Sequence, residues 1–338
     1  MLQDTQDARG LSPVAVIGAG IAGAWQALAF ARAGHDVTLY ERGDKAMRDG
    51  TTHWGGGMLA PWCEAEVSEP VVSRLGLRAL ELWRKALPDA QFNGSLVVAH
   101  ARDRADYDRF ARMTTGHTRL DAAALAEIEP SLEGRYRDAL FYPREGHIEP
   151  RRALPQLHAQ IEAAGGEIKF DSEQRPEELT GLVIDCRGIF ARDRQPALRG
   201  VKGEIIIVET DEVQLSRPVR LMHPRWPLYV IPRAENRFML GATSIEAEDT
   251  GVSVRSALEL LGAAYAVHPA FAEARILEIG SGLRPAFPDN LPRIVIEGQR
   301  IAVNGLYRHG FLLAPALAEL TLAYVQRGEI DNEVMQCA

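Results

Sequence analysis

A chain of 338 residues is long enough for one or two domains with a substantial core. With 46% apolar and 25% charged residues it has the make-up of an ordinary globular protein, and a net charge of −8 argues against nucleic acid or an anionic membrane surface as partner. Its three cysteines, Cys63, Cys186 and Cys337, share no metal-type spacing and read as reduced thiols of a cytosolic protein.

The N-terminus, MLQDTQDARG, is polar and acidic and lacks the basic start and apolar core of a signal peptide. No uninterrupted apolar run reaches the roughly 20 residues of a membrane span. The expectation is a cytoplasmic protein whose residues 1–9 form a loose tail.

The first ordered unit is PVAVIGAGIAGAWQALAFARAGHDVTLYER, residues 13–42. Val14–Ile17 has the apolar run of a buried parallel strand, residues 21–33 are rich in helix formers, and 36–40 read as a second strand. Between the first strand and the helix, Gly18, Gly20 and Gly23 spell GxGxxG. The first glycine permits the tight turn, the second lets the backbone approach a pyrophosphate, and the third lets helix pack on strand. The start of the helix at Ile21 and Ala22 offers free N–H groups and a partial positive charge to phosphate. Glu41, followed by Arg42, stands at the tip of the second strand, where a carboxylate accepts from a ribose and repels a 2′-phosphate. The unit predicts an adenine dinucleotide and leaves FAD and NAD open.

TTHWGGGMLAPWCEAE follows, residues 51–66. Three consecutive glycines add little to a core and are entropically costly, so Gly55, Gly56 and Gly57 suit a backbone lying against a flat ligand. From here the chain resembles the D-amino-acid oxidase-like flavoproteins, in which a Gly-Met-Leu-type loop lies beside the flavin; Gly56, Gly57 and Met58 match it. The likeness continues through DALFYPREGHIEPRRALPQLHAQIEAAGGEIKF (138–170), a strand, a helix and a strand, and through LVIDCRG (182–188), whose Gly188 closes over the dinucleotide. Asp185 and Arg187, unusual there, read as an ion pair. RGVKGEIIIVE (199–209) resembles the strand entering the substrate domain. LYVIPR (228–233), GLRP (282–285) and YRHGFLLAP (307–315) are most similar to the glycine oxidases of thiamine biosynthesis within that family.

The resemblance implies an α/β fold: a discontinuous, Rossmann-like FAD domain (10–82, 143–197, 281–331) and an α+β substrate domain (83–142, 198–280) with a mainly antiparallel sheet. Residues 332–338 are expected to be a second loose tail. LYVIPR and RFMLGATS read as a hairpin about an intervening AEN turn.

It also implies roles. The position of Arg284 binds the substrate carboxylate, that of Tyr229 hydrogen-bonds to it, and that of Arg308 lies beside substrate and flavin. The planar guanidinium fork suits a carboxylate. Arg284, between Gly282 and Pro285, is expected in a constrained turn. The residues themselves leave other roles open: Arg284 as a structural ion-pair partner, Arg308 as the partner of an acidic residue from another loop, Tyr229 as a core aromatic. His309 and His223 read as satisfied loop histidines, although His309 falls in the stretch expected to contact the flavin. The helix after Gly310 is expected to aim the N–H groups of Gly310, Phe311 and Leu312 at the flavin pyrimidine. Cysteine is absent near LYRHG and Trp54 better matches the attachment position than His53, so FAD is expected to be non-covalent.

The implied reaction takes glycine, or a similarly small amine such as sarcosine, to an imine and then to glyoxylate and ammonia, with dioxygen reduced to hydrogen peroxide. Other amines, among them sarcosine, proline or D-amino acids, are the alternative. A thiazole synthase taking the product and a homo-oligomeric state are further expectations.

Overall fold

The apolar tetrapeptide Val14–Ile17 is an interior strand of a seven-stranded sheet in the computed structural model, which describes residues 13–88, 90–222 and 228–337. The expected N-terminal tail, 1–9, and His223 lie outside the described residues. Val14–Ile17 pairs in parallel with Val37–Tyr40 on one side and Leu182–Asp185 on the other. Such a strand is buried on both faces, which is why Val16 and Leu39 are fully buried. The sheet runs on through Glu167–Lys169 at one edge, and through Arg300–Asn304 and Arg293–Glu297 towards the other. The helix Ile21–Arg32 packs on it, between the helices Pro150–Ala163 and Gly310–Arg327.

Of the expected tail 332–338, residues 332–337 are described and are not loose, and Ala338 lies outside the described residues. Met335–Cys337 pairs in parallel with Arg293–Glu297, and Ile294 N donates to the Val334 carbonyl at 2.8 Å. The edge strand offers unpaired backbone groups, and the chain end satisfies them although its side chains show no strand-like alternation.

The second sheet has eight strands and is mainly antiparallel. Its order is Arg275–Ala286, Arg199–Glu209, Arg237–Gly241, Leu228–Pro232, Val219–Leu221, Ser95–Val98, Asp138–Tyr142, Thr118–Asp121. The expected hairpin is present: Tyr229 faces Gly241 and Pro232 faces Phe238, with Glu235 and Asn236 at positive φ in the turn. Two expected boundaries do not coincide with element ends. The helix Pro70–Ala86 runs through 82/83, and the strand Arg275–Ala286 runs through 280/281. Arg284 is therefore not in a turn: it is extended, paired with Val201, on an edge strand where Pro285 costs no ladder hydrogen bond.

The C-terminal helix Gly310–Arg327 contains Pro315. Proline has no N–H, so the Phe311 carbonyl one turn earlier loses its helical donor. The Trp83 indole N–H replaces it at 2.7 Å. Trp83, fully buried, comes from Pro70–Ala86, so this hydrogen bond ties that helix to the first turn of the last one. The helix ends at Gly328, left-handed at φ 70°.

Candidate active site

One cavity of about 2000 Å³ lies between the two sheets. This is roughly twice the upper end for a single small ligand, room enough for a dinucleotide and a small substrate together. Its nucleotide end is built by the glycine turn. Gly18, Gly20, Ile21 and Ala22 line it, whereas Gly23 lies behind: a Cβ there would meet the Gly18 carbonyl at 1.8 Å. Gly23 thus serves helix–strand packing. Glu41 lines the cavity and accepts from Ala19 N at 2.9 Å and Gly43 N at 3.0 Å, which aims its carboxylate at the turn. Thr52 Oγ1 accepts from Ile21 N at 3.0 Å. Arg42 lies 3.4 Å over the Phe190 ring at the same end. Gly188 also lines the cavity, and Asp185 and Arg187 pair at 2.7 Å as expected, with Asp193 at 3.0 Å.

Gly56, Gly57 and Met58 line the middle of the cavity. The glycines have internal reasons as well, contrary to the reading that packing does not explain them. Gly57 has φ 70°, and a Cβ there would meet the Ile148 carbonyl at 2.1 Å; one on Gly55 would meet the Phe311 ring at 2.6 Å. Arg233, the last residue of LYVIPR, clamps this segment: Nη2 donates to Gly56 O at 2.6 Å and Nη1 to Ile148 O at 3.0 Å. Burial lowers its pKa to about 10.

Arg284 projects from the edge strand into the cavity, over Gly203, where a Cβ would lie 2.0 Å from its Nη2. Nη1 donates to the Thr243 carbonyl at 2.9 Å. Among the described residues it has no carboxylate partner within 4.0 Å, and burial lowers its pKa to about 10. A guanidinium carries five donors, so most of its hydrogen-bonding capacity faces the cavity unspent.

Arg308 differs. Its guanidinium, a third exposed, pairs with Glu64 at 2.6 Å. Glu64 ends the short helix Pro61–Glu64, whose first N–H groups, Trp62 N and Cys63 N, are capped by the buried Glu145 at 3.0 and 2.9 Å. Burial alone would raise the Glu64 pKa; Arg308, His309 and Arg220 outweigh it and hold it down to about 2. Tyr229 donates its hydroxyl towards Glu64 Oε1 at 3.5 Å, and burial raises its pKa, so it remains a phenol. Under it, Arg220 lies 5.4 Å from the ring centroid and pairs with buried Glu66 at 2.9 Å.

Gly310 and Phe311 line the cavity with Tyr229, Arg284 and Arg308, whereas His309 and Leu312 do not. His309 is buried with Nδ1 3.5 Å from Glu64 and Nε2 3.3 Å from Ser68 Oγ; burial lowers its pKa to about 4, so it is neutral at pH 7. It is the satisfied loop histidine of the sequence reading, not a cavity residue.

Sequence reasoning missed Glu64, Thr52, Thr243, Ser244 and Tyr307. Glu64 carries no local signal, since its partner comes from the far end of the chain. Tyr307 stood inside the quoted YRHG motif; its positive φ of 49° is visible only in the fold.

The residues present fit FAD: a glycine turn at a helix N-terminus, an acidic strand tip, and a cavity long enough to pass from both to the glycine loop and the C-terminal helix. The family model DAO, FAD dependent oxidoreductase, matches residues 13–324. The Rhizobium etli protein named "Putative thiamine biosynthesis oxidoreductase ThiO" is 51% identical over 90% of this chain and 94% of its own. The crystal structure of glycine oxidase from Geobacillus kaustophilus superposes with a TM-score of 0.79 at 25% identity, covering 94% of this chain and 95% of that one. A bifunctional protein ThiO/ThiG of Nostoc sp. is 25% identical over 91% of this chain, which spans 51% of that longer protein. The chain is an FAD-dependent enzyme and belongs to the DAO family of FAD dependent oxidoreductases.

Proposed function

We propose that the protein oxidises glycine, or an amine as small as sarcosine, to the imine, which water converts to glyoxylate and ammonia. The single observation that carries this is the contrast between Arg284 and Arg308, the two arginines that line the cavity at its Tyr229 end. Arg308 is already neutralised by Glu64, whereas Arg284 faces the cavity with one carbonyl partner. A partly buried cation in that state favours an anion, and a carboxylate supplies two charge-assisted hydrogen bonds of about 1.5–3 kcal/mol each.

Tyr229 stays protonated, and its hydroxyl, turned from its long 3.5 Å contact with Glu64, is the second donor to that carboxylate; Arg308, held by Glu64, walls the pocket rather than gripping the acid. FAD, when bound non-covalently, supplies the two-electron sink. The chain's own contribution is orientation and exclusion of water, which is what amine oxidation needs once the substrate nitrogen is neutral. Glycine gives up two electrons and two protons; dioxygen, as final acceptor, takes them up as hydrogen peroxide.

The names of the relatives support the thiamine assignment, and the bifunctional Nostoc protein supports a thiazole synthase as the consumer of the product. A cytoplasmic setting and a homo-oligomer complete the reading; among the described residues no helix is long and apolar enough to cross a membrane. The test is oxygen uptake and peroxide release by the purified yellow protein over glycine, sarcosine, proline and D-alanine. Highest kcat/KM for glycine or sarcosine is expected. Preference for proline or D-alanine, or dye reduction without oxygen uptake, contradicts it.

A further inference from the structure

The residue after Thr243 makes a second contact across the cavity. Ser244 Oγ lies 2.9 Å from the Tyr307 hydroxyl. Both residues line the cavity, and this contact is at its solvent-exposed rim. The dipeptide Thr243–Ser244 thus holds Arg284 with its first residue and Tyr307 with its second.

Neither end of the bridge is loose. Ile245 forms a backbone bridge with Lys202, with hydrogen bonds of 2.8 and 3.0 Å, and Lys202 Nζ anchors Asp249 at 2.8 Å further along the same loop. Tyr307 has φ 49°, a left-handed conformation costly for an aromatic residue, and it persists because the turn Tyr307–His309 is held by His309 N on Leu306 O at 2.8 Å. Strain of this kind at a cavity rim points to a side chain that must be aimed. Among the described residues, Tyr307, Arg308 and Glu64 are the ionisable groups whose charge acts most on Arg284.

We propose that the Ser244–Tyr307 bridge is the size filter of the carboxylate pocket. It spans the mouth beside Arg284, so an acid gripped by Arg284 must fit its remaining substituent inside the bridge. This rests on the reading that Arg284 takes the carboxylate. It adds that Tyr307 and Ser244, which contribute nothing to carboxylate charge pairing, determine how large the acid is. Opening the bridge relaxes selection by size and leaves carboxylate recognition in place.

The test uses the FAD-loaded enzyme and its variants Ser244→Ala and Tyr307→Phe. Flavin absorbance is titrated with acetate, propionate and butyrate, and kcat/KM is compared for glycine and D-alanine. One methylene in a shaped pocket discriminates by about 10–200-fold. In both variants the butyrate-to-acetate ratio of dissociation constants is expected to fall about tenfold or more, and D-alanine to gain on glycine by a similar factor. Ratios within about twofold of the wild type, or parallel weakening of all three acids, overturn the filter. Ser244→Ala, at an exposed position, keeps the test open if Tyr307→Phe folds poorly. Arg284→Met separates the two claims. If it still binds the acids, the carboxylate reading fails, while the size ratios continue to report on the bridge.

Discussion

Glu64 and Arg308 are joined at 2.6 Å across the cavity wall, so the short helix that follows Gly55–Gly57 supplies the counter-ion for the turn that starts the last helix. Of the two guanidiniums at the Tyr229 end of the cavity, the pair leaves only Arg284 without a carboxylate partner among the described residues. Two free arginines would have invited a dicarboxylate; one favours a monocarboxylate.

That relationship predicts the behaviour of Glu64→Gln. Removing the carboxylate frees the Arg308 donors, and malonate should gain at least about tenfold on acetate, the value of one charge-assisted hydrogen bond. Flavin-absorbance titrations with the two acids give the ratio. An unchanged ratio would mean that Arg308 does not face the bound acid.

The Trp83–Phe311 hydrogen bond predicts a stability effect separable from size. Trp83→Phe keeps an aromatic ring but leaves the Phe311 carbonyl, already deprived of a donor by Pro315, without its indole N–H. The expected loss is about 1–3 kcal/mol. Trp83→Ala adds a cavity and should cost about 3–5 kcal/mol. Urea unfolding of the FAD-loaded proteins measures both; a Trp83→Phe midpoint equal to wild type would show that the carbonyl finds another donor.

Glu145 predicts a pH dependence. Burial raises its pKa from 4.5 to about 7, against the Ser95 hydroxyl and the Cys63 and Trp62 N–H groups that favour its charge. Between these values the unfolded chain has released the proton while the fold retains it. Stability therefore falls as pH rises through this window, by about 3 kcal/mol in all. Glu145→Gln removes the titration, so its melting temperature should gain on wild type by a few degrees from pH 4.5 to 7.5. Parallel melting curves would place the Glu145 titration elsewhere.

Legibility in the sequence followed how local each determinant is. The glycine turn, its helix and Glu41 fall within one continuous stretch, and each is held by its neighbours, so pattern and structure agree. The Leu228–Pro232 hairpin was legible for the same reason. Arg284 was legible as a residue but not as a conformation: GLRP reads as a turn, and pairing with Arg199–Glu209 pulls it straight. Glu64, Thr243 and Ser244 owe their placement to partners far along the chain, for which no spacing rule exists. Met335–Cys337 forms a strand only because an edge is waiting for it.

The central claim, that Arg284 grips the acid end of a small amine in front of FAD, is tested most directly by anaerobic glycine titration of wild type and Arg284→Ala, followed through flavin absorbance. Wild type should arrive yellow and bleach; the variant should hold its flavin yet need about 10–100-fold more glycine. Equal bleaching at equal glycine, or a wild-type flavin that glycine leaves oxidised, would contradict it.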